Sequence, residues 1–410
     1  MMRRITTDLI DEIKPLALDL VTGFARGLAH LRYADLRIEV IEAKAAGAEN
    51  GASKFSMEDY AFNAGVRVLA GERLVAPGYL GRSLGAADLE QLESILKEAL
   101  LRAYRRAMAN GEWKADAREK FGALGESLYS SHLAPVRVCQ DVVSAVYEID
   151  PRSVDLAEMV RYATEISKEV AGLHAQLKYN YVSTLTQLSR ELFCSSEGAS
   201  IDQAFALTQG MADVVAVSEA TSQELYDVLG HQRGWEILLR GVREDAMAFP
   251  PFRDFALELA REAVALANAP ALPTSDREVV VVTDPHYNTL VSHEIIGHPT
   301  ELDRVLKMET AYAGRSWFFQ DLTRHQIDQQ VASPLVTAFS DPGLPGYGHY
   351  RYDDEGTPAR RVIHIDRGIF RGFMNSRQTA AILGALPNGH YKATDASLVP
   401  LIRMSNTVFA

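Results

Sequence analysis

The stretch Val279–Asp303, VVVVTDPHYNTLVSHEIIGHPTELD, contains the most informative motif of the chain. It contains an H-E-x-x-x-H group formed by His293, Glu294 and His298. Two imidazoles can supply neutral nitrogen ligands to a divalent metal, and a neighbouring carboxylate can accept a proton from a water that the metal activates. The stretch therefore predicts a zinc-type hydrolytic site, with His293 and His298 as metal ligands and Glu294 as the general base.

The residues around this group predict a buried strand followed by a short helix. Glu278–Thr283, EVVVVT, is a run of β-branched residues that is typical of a strand buried on both faces. Asp284 can cap the following helix, and Pro285 can occupy its first position. Gly297 and Pro299 mark the end of the helix, because glycine favours termination and proline disfavours an α conformation in the residue before it.

The spacing of the two histidines requires a distorted helix. In a regular α-helix, residues four apart lie about 40° apart around the axis, whereas residues five apart lie about 140° apart. His293 and His298 could not share a metal from such a helix. Gly297 and Pro299 stand where a distortion is needed, which supports the ligand hypothesis. The spacing alone leaves open whether the histidines are metal ligands or ordinary core and cap residues.

Composition limits the class of protein. A chain of 410 residues is expected to form two or three domains. Its formal charge of −12 argues against non-specific binding to nucleic acid or anionic membrane. No uncharged apolar run approaches the ~20 residues that span a bilayer. Two cysteines, Cys139 and Cys194, are too few for a disulfide framework, and Cys194 is expected to be a small buried hydrophobe. We expect a cytoplasmic protein.

Hydrophobic periodicity predicts an α+β fold, with N-terminal α/β domains followed by a β-rich catalytic domain that carries the HExxxH helix. Helical spacing occurs in residues 6–30, 86–110 and 156–169, and an alanine-rich helix precedes the motif. Strand alternation occurs in residues 34–44, in a hairpin at 64–81, and in residues 175–220 with a break at SSEGAS. We predict an α+β domain at 1–125, an antiparallel β/α domain at 126–245 and the metal-binding domain at 246–410.

Several separate segments resemble the TldD/PmbA family of zinc metalloproteases, in the order in which that family has them. They are ADLRIEVIEAK and the residues up to Gly81, RELFCSSEGASIDQ, HEIIGHPTELDRV, DDEGTPARRVIHIDRGIFRGFMNSRQTAAILG and PLIRMSNT. The resemblance extends through most of the chain. It points to the TldD branch, because the PmbA (TldE) branch is similar in fold but lacks the histidine motif.

The resemblance implies roles for the motif residues. His293 and His298 would be zinc ligands and Glu294 the general base. The family's third protein ligand is a cysteine near the C-terminus, but no cysteine follows Cys194 here. We expect the chain to be truncated within its catalytic domain and, alone, to bind metal weakly and to show little activity. The alternative is that another residue completes the site, and the candidates are His286, His325, His349, His364, Asp353, Asp354 and Glu355. Among these, the DDEG carboxylates fit a turn better than a ligand set.

The resemblance further implies a TldD-type peptidase that hydrolyses short or unfolded peptides. It would act as a homodimer or as a heterodimer with a PmbA/TldE-type subunit. The main alternative is a catalytically inactive scaffold or partner subunit of such a complex, and a more distant one is a metal-dependent hydrolase of other substrates. In the loop GLPGYGHYRY, Tyr347 and His349 are candidate substrate-binding residues, although the loop also fits an ordinary glycine-proline turn with aromatic packing.

Overall fold

The computed structural model describes residues 4–122, 125, 128–243, 248–274, 276–309, 315–322 and 324–410. These residues form an α+β fold, as predicted. The helices are α1 Leu9–Phe24, α2 Leu92–Phe121, α3 Leu156–Leu173, α4 Glu236–Arg240, α5 Phe252–Ala267, α6 Pro285–Ser292, α7 Leu302–Val305 and α8 Arg377–Leu383. Among the helices of the described residues, none has the length and apolar character that a membrane crossing requires.

The strands of the described residues divide into one large sheet and several small ones. The large sheet contains β1 Leu31–Glu49, β2 Ala52–Ala70, β3 Ala76–Ser83, β4 Gln140–Val143, β5 Leu177–Ser195, β6 Ser200–Val217 and β7 Ser222–His231. The C-terminal part contains β8 Phe319–Asp321, β9 Arg324–His325, β10 Ala338–Ser340, β11 Val362–Asp366, β12 Ile369–Phe370, β13 Tyr391–Lys392, β14 Leu401–Ile402 and β15 Thr407–Phe409.

The large sheet joins strands from both predicted N-terminal segments. Its order is β3-β2-β1-β5-β6-β4, and β7 pairs with β6 beyond β4. Neighbouring strands are antiparallel except for β4 and β6. The predicted hairpin at 64–81 is β2–β3, and the strands on either side of SSEGAS are β5 and β6. The predicted domain boundaries at 126 and 245 lie outside the described residues, so the division into domains stays a prediction.

Helices cover one face of this sheet in two groups. Helix α1 packs on β1 and β5, and helix α2 packs on β2 and β3; both helices share one core with Leu36, Ile38 and Val40 of β1. Helices α3 and α5 belong to a second core, which includes Ala46 and Ala48 at the other end of β1. Cys194 lies in the first core with 0% exposure, as expected of a small buried hydrophobe. Burial raises the pKa of its thiol to about 12.

The polar residues in the first half of β1 are buried as well, whereas strand alternation such as that of residues 34–44 is typical of a strand with one solvated face. Asp35, Arg37 and Glu39 are each at most 5% exposed. Arg37 Nη1 donates to Asp354 Oδ2 over 2.8 Å, and Arg67 Nη1 of β2 donates to Glu355 Oε1 over 2.7 Å. We call this set, Asp35, Arg37, Arg67, Asp354 and Glu355, the charge seam. The DDEG segment therefore fastens the C-terminal part to the sheet.

In the described residues the C-terminal part contains eight short strands, β8 to β15, together with short helices, and it has a core of its own. Strands β10, β11, β12 and β15 form its main sheet in the described residues, and pairs β8–β9 and β13–β14 lie beside it. Ile296, from the histidine motif, is 2% exposed in this core. It packs there with Leu302, Phe370 and Ile402. The motif is thus anchored to the C-terminal part of the molecule.

The prediction of a buried strand at Glu278–Thr283 is wrong. These residues form no strand, and Val280 and Val282 are 95% and 92% exposed. A β-branched run has a preference for extended backbone, but it becomes a strand only where a neighbouring strand accepts its hydrogen bonds. Within the described residues no strand pairs with this run.

Candidate metal centre

Helix α6 begins where the sequence predicts. The Asp284 side chain accepts a hydrogen bond from the backbone N–H of Tyr287 over 2.7 Å, and Pro285 occupies the first helical position. His286 lies near the start of the helix, with its Nε2 3.6 Å from Asp227 Oδ1 of β7. The helix that carries the motif therefore lies next to the edge strand of the large sheet.

A π turn over His293–Gly297 brings the two histidines together. The backbone N–H of His298 donates to the carbonyl of His293, five residues earlier. This hydrogen bond places residues five apart one above the other, unlike in an α-helix. The two imidazole rings lie 4.5 Å apart between centroids, at 84° to each other. The distortion that the spacing required is present, and it spans the whole turn rather than Gly297 alone.

Two residues of this turn, Ile296 and Gly297, contact the C-terminal part of the molecule. Ile296 points into the C-terminal core, which leaves His293 and Glu294 on the exposed side. Gly297 lies against the side chain of Met404, and a Cβ atom added to Gly297 would be 2.5 Å from Met404 Sδ. The segment PLIRMSNT, in which Met404 lies, therefore packs directly on the motif.

The donor atoms of the motif fit a divalent metal. His293, Glu294 and His298 each offer one ligand atom, and these atoms lie within 4.8 Å of one another. Tetrahedral zinc binds nitrogen and oxygen at about 2.0–2.2 Å, so its ligand atoms need to lie roughly 3.5 Å apart. The donor atoms would therefore have to move closer together on binding, and the exposed side chains of His293 and Glu294 have room to do so. Among the described residues, no other histidine, cysteine or carboxylate joins the group, including the seven candidates considered from the sequence.

The electrostatics of the turn favour a neutral ring on His293. Burial lowers the pKa of His293, and the neighbouring His298 lowers it further. His298 Nδ1 lies 3.2 Å from Oε2 of Glu301, a residue with 0% exposure. Sequence reasoning missed Glu301. A carboxylate three residues after the second histidine, at a break in the helix, was the signal that could have found it.

The structure does not bring Tyr347 and His349 into contact with the motif. The Tyr347 hydroxyl donates to Gln209 Oε1 of β6 over 2.9 Å. An added Cβ on Gly230 of β7 would lie 2.9 Å from the Tyr347 ring, so the ring packs closely on that strand. His349 Nδ1 is 2.8 Å from the carbonyl of Pro342 in its own loop. These contacts fasten the loop to the sheet, and a role in substrate binding stays a prediction.

The fold and the site define an α+β protein with a candidate metal centre on a distorted helix. Residues 276–410 match the family model described as PmbA/TldA metallopeptidase C-terminal domain. A metalloprotease of Methanothermobacter thermautotrophicus is 30% identical over 226 residues, which cover 55% of this chain and 45% of the relative. A metalloprotease of Methanocaldococcus jannaschii is 24% identical over 378 residues, which cover 92% of this chain and 72% of the relative.

The solved structures agree in fold. TldE from Thermococcus kodakarensis superposes with a TM-score of 0.65 at 14% identity, covering 98% of this chain and 77% of that one. The match of residues 276–410 and the metalloprotease relatives support the resemblance to the TldD/PmbA family that the sequence implied. It spans about half the length of the first curated relatives that it matches, 45% and 54% of them.

Proposed function

We propose that this protein is a metal-dependent peptidase of the TldD type, with His293 and His298 as metal ligands and Glu294 as the general base. The observation that carries the proposal is the π turn, which gathers the three donor atoms within 4.8 Å. The relatives named as metalloproteases support it. We propose zinc as the metal, because two imidazoles and an open position suit its tetrahedral geometry.

The residues of the turn divide the chemistry between them. A bound metal would polarise the scissile carbonyl and lower the pKa of the attacking water. His293 is kept neutral by its lowered pKa, so that a ring nitrogen is free to act as a ligand. Glu294 lies on the exposed side of the turn beside His293, where it can take the proton from the water and pass it to the leaving amine.

The edge of the large sheet suggests how a peptide would bind. Strand β7 pairs with β6 alone among the described strands, which leaves the main-chain groups of its other side available. His286, at the start of the motif helix, approaches Asp227 of this strand. An extended peptide that adds to β7 would be held by main-chain hydrogen bonds, with little dependence on its sequence. We therefore propose short or unfolded peptides as substrates.

We also propose that the protein works as a dimer, either with itself or with a PmbA/TldE-type subunit. The likeness of its fold to TldE supports the second arrangement.

A second candidate function is that of a catalytically inactive partner subunit. The observation in its favour is the small number of side chains that could bind the metal. If Glu294 serves as the base, only two protein ligands remain among the described residues, whereas catalytic zinc sites normally have three.

Zinc content separates the two functions. With zinc in excess we expect about one weakly bound zinc per chain in the wild type, and loss of the zinc in His293→Ala and in His298→Ala. His286→Ala is the matched control, because this exposed histidine belongs to the same helix but not to the cluster. Glu294→Gln should keep the zinc and lose cleavage of an unstructured peptide. A zinc-free wild type, or unchanged cleavage in Glu294→Gln, would contradict the peptidase proposal.

A further inference from the structure

We infer that Glu301 positions His298, by holding the proton of the imidazole on Nδ1 so that Nε2 is presented to the metal. The inference rests on the proposed function, because it takes His298 to be a ligand. It assigns to Glu301 a role in metal binding that involves no direct contact with the metal.

The backbone on both sides of Glu301 is fixed. The residue follows a 3₁₀ turn over His298–Thr300, which ends the motif. The N–H of Met374 donates to the carbonyl of Thr300 over 2.9 Å, and the N–H of Leu302 donates to the carbonyl of Met374 over 3.0 Å. These two bonds tie the segment to the C-terminal core. Glu301 is therefore held at a constant position relative to the π turn.

The Glu301 side chain is a buried carboxylate that faces one histidine and two arginines. Its Oε2 is 3.2 Å from His298 Nδ1. Arg304 Nε donates to the same oxygen over 2.9 Å, and Arg403 Nη1 lies 3.5 Å from it. The guanidinium charges offset the free energy of burying the carboxylate. The oxygen that faces His298 is thus the same oxygen that accepts hydrogen bonds from Arg304.

An oxygen that accepts from the Arg304 guanidinium acts as an acceptor towards His298 as well, so the contact with His298 requires a proton on Nδ1. The lone pair of the neutral ring is then on Nε2, the atom available to a metal. Carboxylates in this relation to a metal-binding histidine fix its tautomer and ring orientation. Among the described residues His293 makes no comparable hydrogen bond, so the effect of Glu301 falls on one of the two ligands.

The experiment measures zinc affinity of the full chain by competition with a chelating dye. Removing such a carboxylate typically weakens metal binding by about 10–100-fold, and we expect this of Glu301→Ala. Glu301→Gln should recover part of the loss, because its carbonyl oxygen can accept the same hydrogen bond. Asp303→Ala is the matched control. This carboxylate is 7% exposed on α7 and accepts from the N–H of Ile402 over 2.9 Å, but does not contact His298.

Two outcomes of that experiment would overturn the inference. Unchanged affinity in Glu301→Ala would show that His298 needs no such support. An equal loss in Asp303→Ala would show that removal of any buried carboxylate of this segment damages the site.

A second readout does not depend on the metal. Nitrogen-15 NMR of labelled histidines in the metal-free chain should show His298 protonated at Nδ1 in the wild type, and no longer held in that tautomer in Glu301→Ala. A wild-type His298 protonated at Nε2 would overturn the inference. A wild type that binds no zinc contradicts the proposed function instead, and the tautomer then decides the role of Glu301 by itself.

Discussion

Gly297 lets the C-terminal segment reach the turn that carries the histidines. Its φ angle of −57° is one that any residue adopts, so the backbone conformation does not require glycine. The requirement comes from space, because an added Cβ would be 2.5 Å from Met404 Sδ and 2.8 Å from Met404 Cε. A single absent methyl group therefore determines how closely two distant segments pack at the candidate site.

Gly297→Ala should destabilise the protein by about 1–3 kcal/mol, the usual effect of overpacking, because either Met404 or the π turn must move. Chemical denaturation measures the change in the free energy of unfolding. In the double variant with Met404→Ala the loss should be smaller than the sum of the two single losses. Gly172→Ala is the control, because a Cβ there meets nothing within 4 Å. Additive losses in the double variant would show that the two side chains do not compete for space.

At the scale of elements, the sequence was sufficient to predict those features that depend only on residues close together in the chain. Asp284 and Pro285 predicted the start of α6, and the five-residue spacing of the histidines predicted the distortion that follows. The donor set of the motif could be proposed for the same reason. The three-residue spacing of His298 and Glu301 pointed to a contact between them, but the contact itself depends on how the chain turns after the helix ends.

One hairpin signal was present in the sequence and was missed. Asn50 and Gly51 have φ angles of 48° and 79° and form the two-residue turn between β1 and β2. An Asn-Gly pair is the usual sequence of such a turn, because both positions need a positive φ. At Glu278–Thr283 the error was the reverse: high strand propensity predicted a strand, but the residues form none. Propensity is local, but pairing depends on a second segment.

The exposed valine run gives an element-scale prediction. Val280→Lys and Val282→Lys should each change the free energy of unfolding by no more than about 0.5 kcal/mol, as exposed substitutions usually do. Val68→Lys is the contrasting control, because Val68 is 0% exposed within β2 and burying an unpaired charge costs several kcal/mol. Thermal and denaturant unfolding of the three variants measure the difference. A loss at Val280 as large as that at Val68 would mean that the run is buried.

At the scale of the whole molecule, the C-terminal part is attached to the sheet through the charge seam. Arg67 illustrates the arrangement. Its guanidinium contacts both Asp35 and Glu355, and its side chain is 8% exposed. Buried ion pairs contribute little net stability, but removal of one partner leaves the other charge without compensation. The attachment of the two parts is therefore sensitive to single substitutions.

Arg67→Met should destabilise the protein by about 3–5 kcal/mol, because Asp35 and Glu355 would remain buried without their partner. Arg73→Met is the matched control. Arg73 also pairs with several carboxylates, but its side chain is 38% exposed, so its loss should change stability by no more than about 1 kcal/mol. Unfolding in urea measures both variants. Equal effects would show that the seam does not join the two parts.

The π turn also means that this motif differs by one residue from a commoner one. A π turn is a helical turn that has gained one residue, and Ile295, 49% exposed, lies within it. Deleting one codon there would leave H-E-x-x-H, whose histidines share one side of an ordinary α-helix because residues four apart lie about 40° apart. A single insertion or deletion therefore separates the two motifs, and a lineage could pass between them while the histidines stayed on the same side of the helix.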